Sequence, residues 1–179
     1  MNYIKYFFLL VLLMTQGCDS KKVEQSNDHL NQGIAFIAAL GSETDKGFIQ
    51  ILKNAEVEFT QAINLNPNNY LALMNRGVIY ITMGKLNKAE LDLKKSKDLS
   101  PSSPDVNYNL ASLYSLNGKL DLSLEYFGVA LKNGFSDYDR IRNDSDLINL
   151  REYKGFTEVL ETNKTSPVST KKSKDLDSK

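Results

Sequence analysis

The apolar positions of this chain fall at helical spacing. From Tyr70 onward they recur at intervals of three and four residues, which places them on one face of a helix. The runs predict helices over about 70–83, 87–99, 104–116 and 120–132. Upstream, Leu30, Ile34, Ile37 and Leu40 predict a helix beginning near Asp28, and a second helical stretch covers Ile51 to Leu65. Downstream, Leu147, Leu150, Phe156 and Leu160 predict one further helical segment, started by Asp144 or Ser145.

The same residue types also return at one fixed interval. Gly77, Tyr80 and Gly84 come back thirty-four residues later as Ala111, Tyr114 and Gly118. Ala89, Leu93 and Ser96 come back as Ser123, Phe127 and Ala130, and Ala55, Phe59, Ala62 and Pro67 precede the first set in phase. Small residues suit the place where two helices cross closely. The tyrosines lie one turn further on and fill the gap beside that crossing. Gly84 and Gly118 follow the apolar runs, where glycine closes a helix in the left-handed conformation. Pro67 and Pro101 fall where a helix cannot continue. In period and in residue types the pattern resembles the tetratricopeptide repeat. The fold this resemblance implies is all-α: a helix–turn–helix solenoid of about three repeats with a C-terminal capping helical segment. The repeats then span 28–135, as an interrupted repeat over 28–67 and regular ones over 70–101 and 104–135.

The interruption is an insertion. Gly33 and Ala55 stand 22 residues apart where Gly77 and Ala89 stand 12 apart. The excess lies around Gly41–Gly47 and lengthens the second helix from about Phe48. A surface loop accommodates such a change because closure entropy grows slowly with length. Ser103-Pro104-Asp105 marks a helix start, with Ser103 as cap and Pro104 at the first helical position. Residues 136–161 are expected to cap the last repeat, as a solenoid needs a terminal element with a polar outer side. Residues 162–179, rich in Thr, Ser and Lys, are expected to be disordered.

The N-terminus predicts export. Lys5 precedes an apolar run over Tyr6–Met14, too short to span a bilayer, which needs about twenty residues. It ends in Gly17-Cys18, and Cys18 is the one cysteine in the chain. This arrangement resembles a bacterial lipoprotein signal. The resemblance implies a signal peptide over 1–17 and lipid on Cys18, with Thr15 and Gln16 departing from the usual residues. A polar stretch over 18–27 reads as a tether from the lipid surface. The implied location is the bacterial envelope, with the folded part periplasmic and the choice between inner and outer membrane open.

Composition narrows the chemistry. Basic and acidic side chains number 22 each, and the lysines are scattered among acids rather than gathered in a stripe, so no nucleic-acid surface is expected. One histidine, His29, and one cysteine leave no set of metal ligands, and no phosphate-cradling glycine loop appears. The acids over 137–146 lack the spacing and central glycine of a calcium loop. No enzyme, metal site, cofactor or small-molecule substrate is therefore expected.

The repeat resemblance implies a concave groove lined by the first helix of each pair. In the second repeat the matching positions are Leu71, Met74, Asn75, Val78 and Ile81. In the third they are Asp105, Tyr108, Asn109, Ser112 and Ser115. Asn31, Asn75 and Asn109 are equivalent, and their amides are able to bond an extended backbone. Lys and Arg are missing from the positions at which one subfamily clamps a partner's C-terminal carboxylates, so a peptide or helix is the expected occupant. The resulting expectation is a non-catalytic scaffold or adaptor binding another envelope protein. An assembly factor for outer-membrane or pilus components and an accessory subunit of an envelope enzyme stand as alternatives.

Overall fold

The computed structural model describes residues 3–39 and 45–164, with side chains over 19–39 and 47–163. Within these, helix follows helix. They are α1 (Tyr3–Ala38), α2 (Asp45–Leu65), α3 (Tyr70–Thr82), α4 (Leu86–Leu99), α5 (Pro104–Leu116) and α6 (Leu120–Lys132). A broken C-terminal segment follows: α7 (Tyr138–Asn143), a 3-10 turn (Ser145–Leu147), α8 (Ile148–Arg151) and α9 (Phe156–Lys164). Among the described residues there is no strand, and no helix is long and apolar enough to cross a membrane. The chain divides into two compact units, Met1–Arg76 and Gly77–Lys179, each described by itself.

In the first unit α1 and α2 run antiparallel, with Ser26 opposite Ala62 and His29 opposite Glu58. Gly33 permits the close approach: a Cβ there would stand 2.4 Å from Cε1 of the buried Phe59. Ser26 Oγ donates to the carbonyl of Ala62 at 2.8 Å and accepts from Asn69 Nδ2 at 3.0 Å. The Asn69 side-chain Oδ1 in turn caps α3 by accepting from the Ala72 amide. Residues 19–27, expected as a tether, are thus helical, and Ser26 is fully buried among them. The physical reason is that Lys, Glu and Gln are good helix formers and one hydroxyl with two partners fastens the turn. α2 begins at Asp45, three residues before the expected lengthening at Phe48. The rest of the expected loop insertion, 40–44, and the tail from 165 lie outside the described residues.

In the second unit the repeat logic is visible atom by atom. A Cβ on Gly77 would meet Leu93 Cγ at 2.8 Å, so a larger residue would push the crossing helices apart. At the equivalent crossing Ser123 Oγ donates to the carbonyl of Ala111 at 2.6 Å. Gly84 and Gly118, at φ 70° and 69°, end α3 and α5 alike. The amide of the next residue, Lys85 or Lys119, reaches back to the carbonyl of Tyr80 or Tyr114. Lysines at the start of α4 and along it cover aromatic rings. Lys85 and Lys88 lie over Tyr80, and Lys97 lies over Tyr126.

The C-terminal segment differs from the single helix expected from Asp144 or Ser145. Asp137 caps a short α7 through the Arg140 amide, Asp144 caps the 3-10 turn through the Asp146 amide, and Gly155 at φ 90° separates α8 from α9. Arg151 holds the bend by donating to the carbonyls of Ile141 and Asp144. Leu147, Leu150 and Phe156 do pack on the last repeat, in one core with Tyr108, Ala111, Phe127 and Ile141. Helix α9 continues through 162–164, and Asn163 is buried, so the expected disordered stretch starts too early.

Candidate functional site

The positions expected to line a groove occupy one face of α3 and the equivalent face of α5, and these faces differ. On α3, Leu71 is exposed, Met74, Asn75 and Val78 are half-buried, and Ile81 is buried. Asn75 Nδ2 donates to the Leu71 carbonyl at 2.8 Å, which leaves its amide oxygen available.

On α5 every residue from Val106 to Ser115 is buried. A helix of a two-layer repeat ordinarily keeps one face wet; here both are covered. The covering is the chain's own C-terminal segment. Tyr108, completely buried, stacks on Phe135 with ring centroids 4.1 Å apart and donates its hydroxyl to Asp144 Oδ2 at 2.8 Å. The Arg140 guanidinium lies 4.5 Å over the same ring and donates to Asn109 Oδ1 at 3.2 Å. Ser115 accepts from the Leu150 amide with its hydroxyl and from Asn149 with its carbonyl.

Tyr108, Asn109 and Ser112 therefore do not line an open groove, contrary to expectation. The reason is energetic: Ile141, Leu147 and Leu150 need an apolar surface, and the Tyr108 face of α5 is the one they meet. Burial, and next the Asp144 carboxylate, push the Tyr108 hydroxyl well above its ordinary pKa, so it acts as a fixed donor. Ser112 Oγ is buried without a hydrogen-bond partner among the described residues.

Beside this covered face lies an open groove of about 570 Å³, lined by Ile81, Leu86, Leu116 and Asp146 among others. Burial, and next Asp144, raise the Asp146 carboxyl above the usual carboxylate range. Ile81 was legible from the repeat. Leu116 and Asp146 were not, because only the folding-back of the C-terminal segment brings Asp146 there. The remaining candidates are elsewhere. His29 Nδ1 pairs with Glu58 at 2.6 Å in the first unit, Asp105 is exposed at the start of α5, and Cys18 lies within α1 ahead of the described side chains. Among the described residues no three His, Cys, Asp or Glu side chains converge as metal ligands.

Comparison with known proteins agrees with this architecture. Residues 58–90 match one tetratricopeptide-repeat family model and residues 104–132 match another. The chain is 28% identical over 136 residues to a chloroplastic protein of Arabidopsis thaliana, covering 67% of this chain and 40% of that one. It is 29% identical over 143 residues to DnaJ homolog subfamily C member 3 of Bos taurus, covering 79% of this chain and 26% of the relative. The chain thus spans less than half the length of these curated relatives. Among solved structures it is similar to a thermophilic TPR protein of Thermus thermophilus, with 29% identity and a TM-score of 0.56. That match covers 66% of this chain and 62% of the other. Over these two stretches and in its helix-pair fold, the chain is similar to tetratricopeptide-repeat proteins.

Proposed function

We propose that the protein is a non-catalytic adaptor of a bacterial envelope, held to a membrane by lipid on Cys18, which receives a peptide or helix of another envelope protein on the open face of α3. Repeats of this kind serve protein–protein interaction, which is the broad part of the reading. The observation that supports the finer part is internal. Met74, Asn75, Val78 and Ile81 occupy the positions that on α5 are Tyr108, Asn109, Ser112 and Ser115. Those α5 positions hold a polypeptide segment by apolar burial together with polar bonds from Arg140, Asn149 and Leu150. The equivalent α3 positions are less covered: Leu71 is exposed and Met74 and Asn75 half-buried in the first unit, and Val78 is half-buried in the second.

The test is a pull-down from detergent-solubilised native membranes with wild type and Met74→Glu, alongside mass analysis of wild type and Cys18→Ser. A partner retained by wild type and lost with Met74→Glu, together with acyl mass present only in wild type, is the expected result. Equal recovery of all partners by both proteins would remove the α3 face from the account. Absence of acyl mass on wild type would remove the anchor.

A further inference from the structure

A second groove lies between α6 and α9, away from the α5 face that the C-terminal segment covers. It has a volume of about 560 Å³, within the range of ligand-sized clefts. Its apolar walls are Leu124 and Val129 from α6 and Val159 from α9, each left half-buried. Gly128, in the middle of α6, keeps the floor low: a Cβ there would make only an ordinary contact, 3.5 Å from Val159 Cγ1.

Its rim is acidic. Asp121, Glu125 and Glu158 are exposed around it, against a single ammonium among the described residues, Lys132. Asp121 accepts a hydrogen bond from the Tyr153 hydroxyl at 2.6 Å. Glu125 and Glu158 have no cationic partner among the described residues. An apolar floor asks for an apolar side chain, and unpaired carboxylates at its edge ask for cations on either side of it.

We infer that the α6–α9 groove is a docking site for a segment of a partner protein that carries apolar side chains interleaved with lysine or arginine. The apolar side chain sits over Gly128 between Leu124 and Val159, and the flanking cations meet Glu125 and Glu158. This adds a second contact surface to the adaptor reading and specifies the chemistry it selects.

The test measures binding of the full chain to a labelled eight-residue peptide of alternating leucine and lysine, and to its leucine–glutamate counterpart. The lysine peptide is expected to bind, more weakly as salt rises, because the rim pairs are exposed and screened. Glu125→Gln with Glu158→Gln weakens it by about three- to tenfold, the scale of two exposed ion pairs. Gly128→Met fills the floor and abolishes binding without lowering the melting temperature, while partner capture by the α3 face persists. That contrast separates failure of this inference from failure of the adaptor reading. No binding of the lysine peptide, equal binding of the two peptides, or binding indifferent to Gly128→Met would overturn it. Binding that emerges only when the chain is ended after Lys164 would assign the groove to the chain's own C-terminal residues instead. Self-association abolished by Gly128→Met would assign it to a second copy.

Discussion

Replacing Tyr108 by phenylalanine removes one oxygen and leaves the ring, so it isolates the bond by which the C-terminal segment is fastened to α5. The ring keeps its stack on Phe135 and the Arg140 guanidinium above it. What is lost is a hydrogen bond of 2.8 Å to a carboxylate whose side chain is 15% exposed. Bonds to charged groups contribute about 1.5–3 kcal/mol. Asp144 retains the Asp146 amide at 3.0 Å and Arg140 at 3.8 Å, so the lower end applies, about 1.5 kcal/mol. In a unit of this size that lowers Tm by about 6–12 °C.

Tyr108→Ala also removes the buried ring and is expected to cost about 3–5 kcal/mol. Urea denaturation followed by circular dichroism measures both changes. The Tyr108 pKa is raised in the folded state, so its contribution is fully present below the ordinary tyrosine value of about 10 and is lost as pH rises beyond it. Tyr108→Phe should abolish that alkaline slope. A Tyr108→Phe protein as stable as wild type, with the slope intact, would refute the fastening described here.

Glycines separate in the same way by what surrounds them. Gly128→Ala should stabilise by about 0.5–1 kcal/mol, since helix propensity improves and the new methyl makes an ordinary contact. Gly33→Ala should destabilise by about 1–2 kcal/mol, because its methyl would overlap the Phe59 ring; thermal melts showing the reverse order would contradict the packing. Asp146 has a raised carboxyl pKa, so the native state is penalised once pH rises through that value. Asp146→Asn should therefore raise Tm at neutral pH, with the gain vanishing below the ordinary carboxylate range. A gain independent of pH would point away from ionisation as its cause.

Much of the fold was legible because each repeat position has one physical task. Gly77 and Ala89 mark a crossing, Gly84 and Gly118 mark turns, and Ser103-Pro104 marks a start; the structure uses them so, with the Val106 amide bonded to Ser103 Oγ. The helical course of 19–27 was hidden because its one buried residue is the polar Ser26, which leaves no apolar periodicity to read. The site was half legible. Positions 74, 75 and 78 were identified by their equivalence with 108, 109 and 112, but equivalence in the repeat does not convey exposure. Leu147 and Leu150 were expected to face the last repeat. Which side of α5 they cover depends on three short elements with separate caps at Asp137 and Asp144, and that chain reversal has no periodic signature.

The central claim is that the α5 face is filled by the chain itself while the α3 face is open to a partner. Thiol labelling tests it most directly. With Cys18→Ser removing the native cysteine, Ser112→Cys and Met74→Cys each carry one thiol. Ser112→Cys is nearly isosteric and breaks no hydrogen bond, because the Ser112 hydroxyl has no partner among the described residues. The account predicts that a maleimide labels the thiol at 74 promptly. It labels the thiol at 112 about a hundredfold more slowly, at the rate of local opening, until denaturant is added. Equal, rapid labelling at both positions would show the C-terminal segment off α5 in solution and contradict the account.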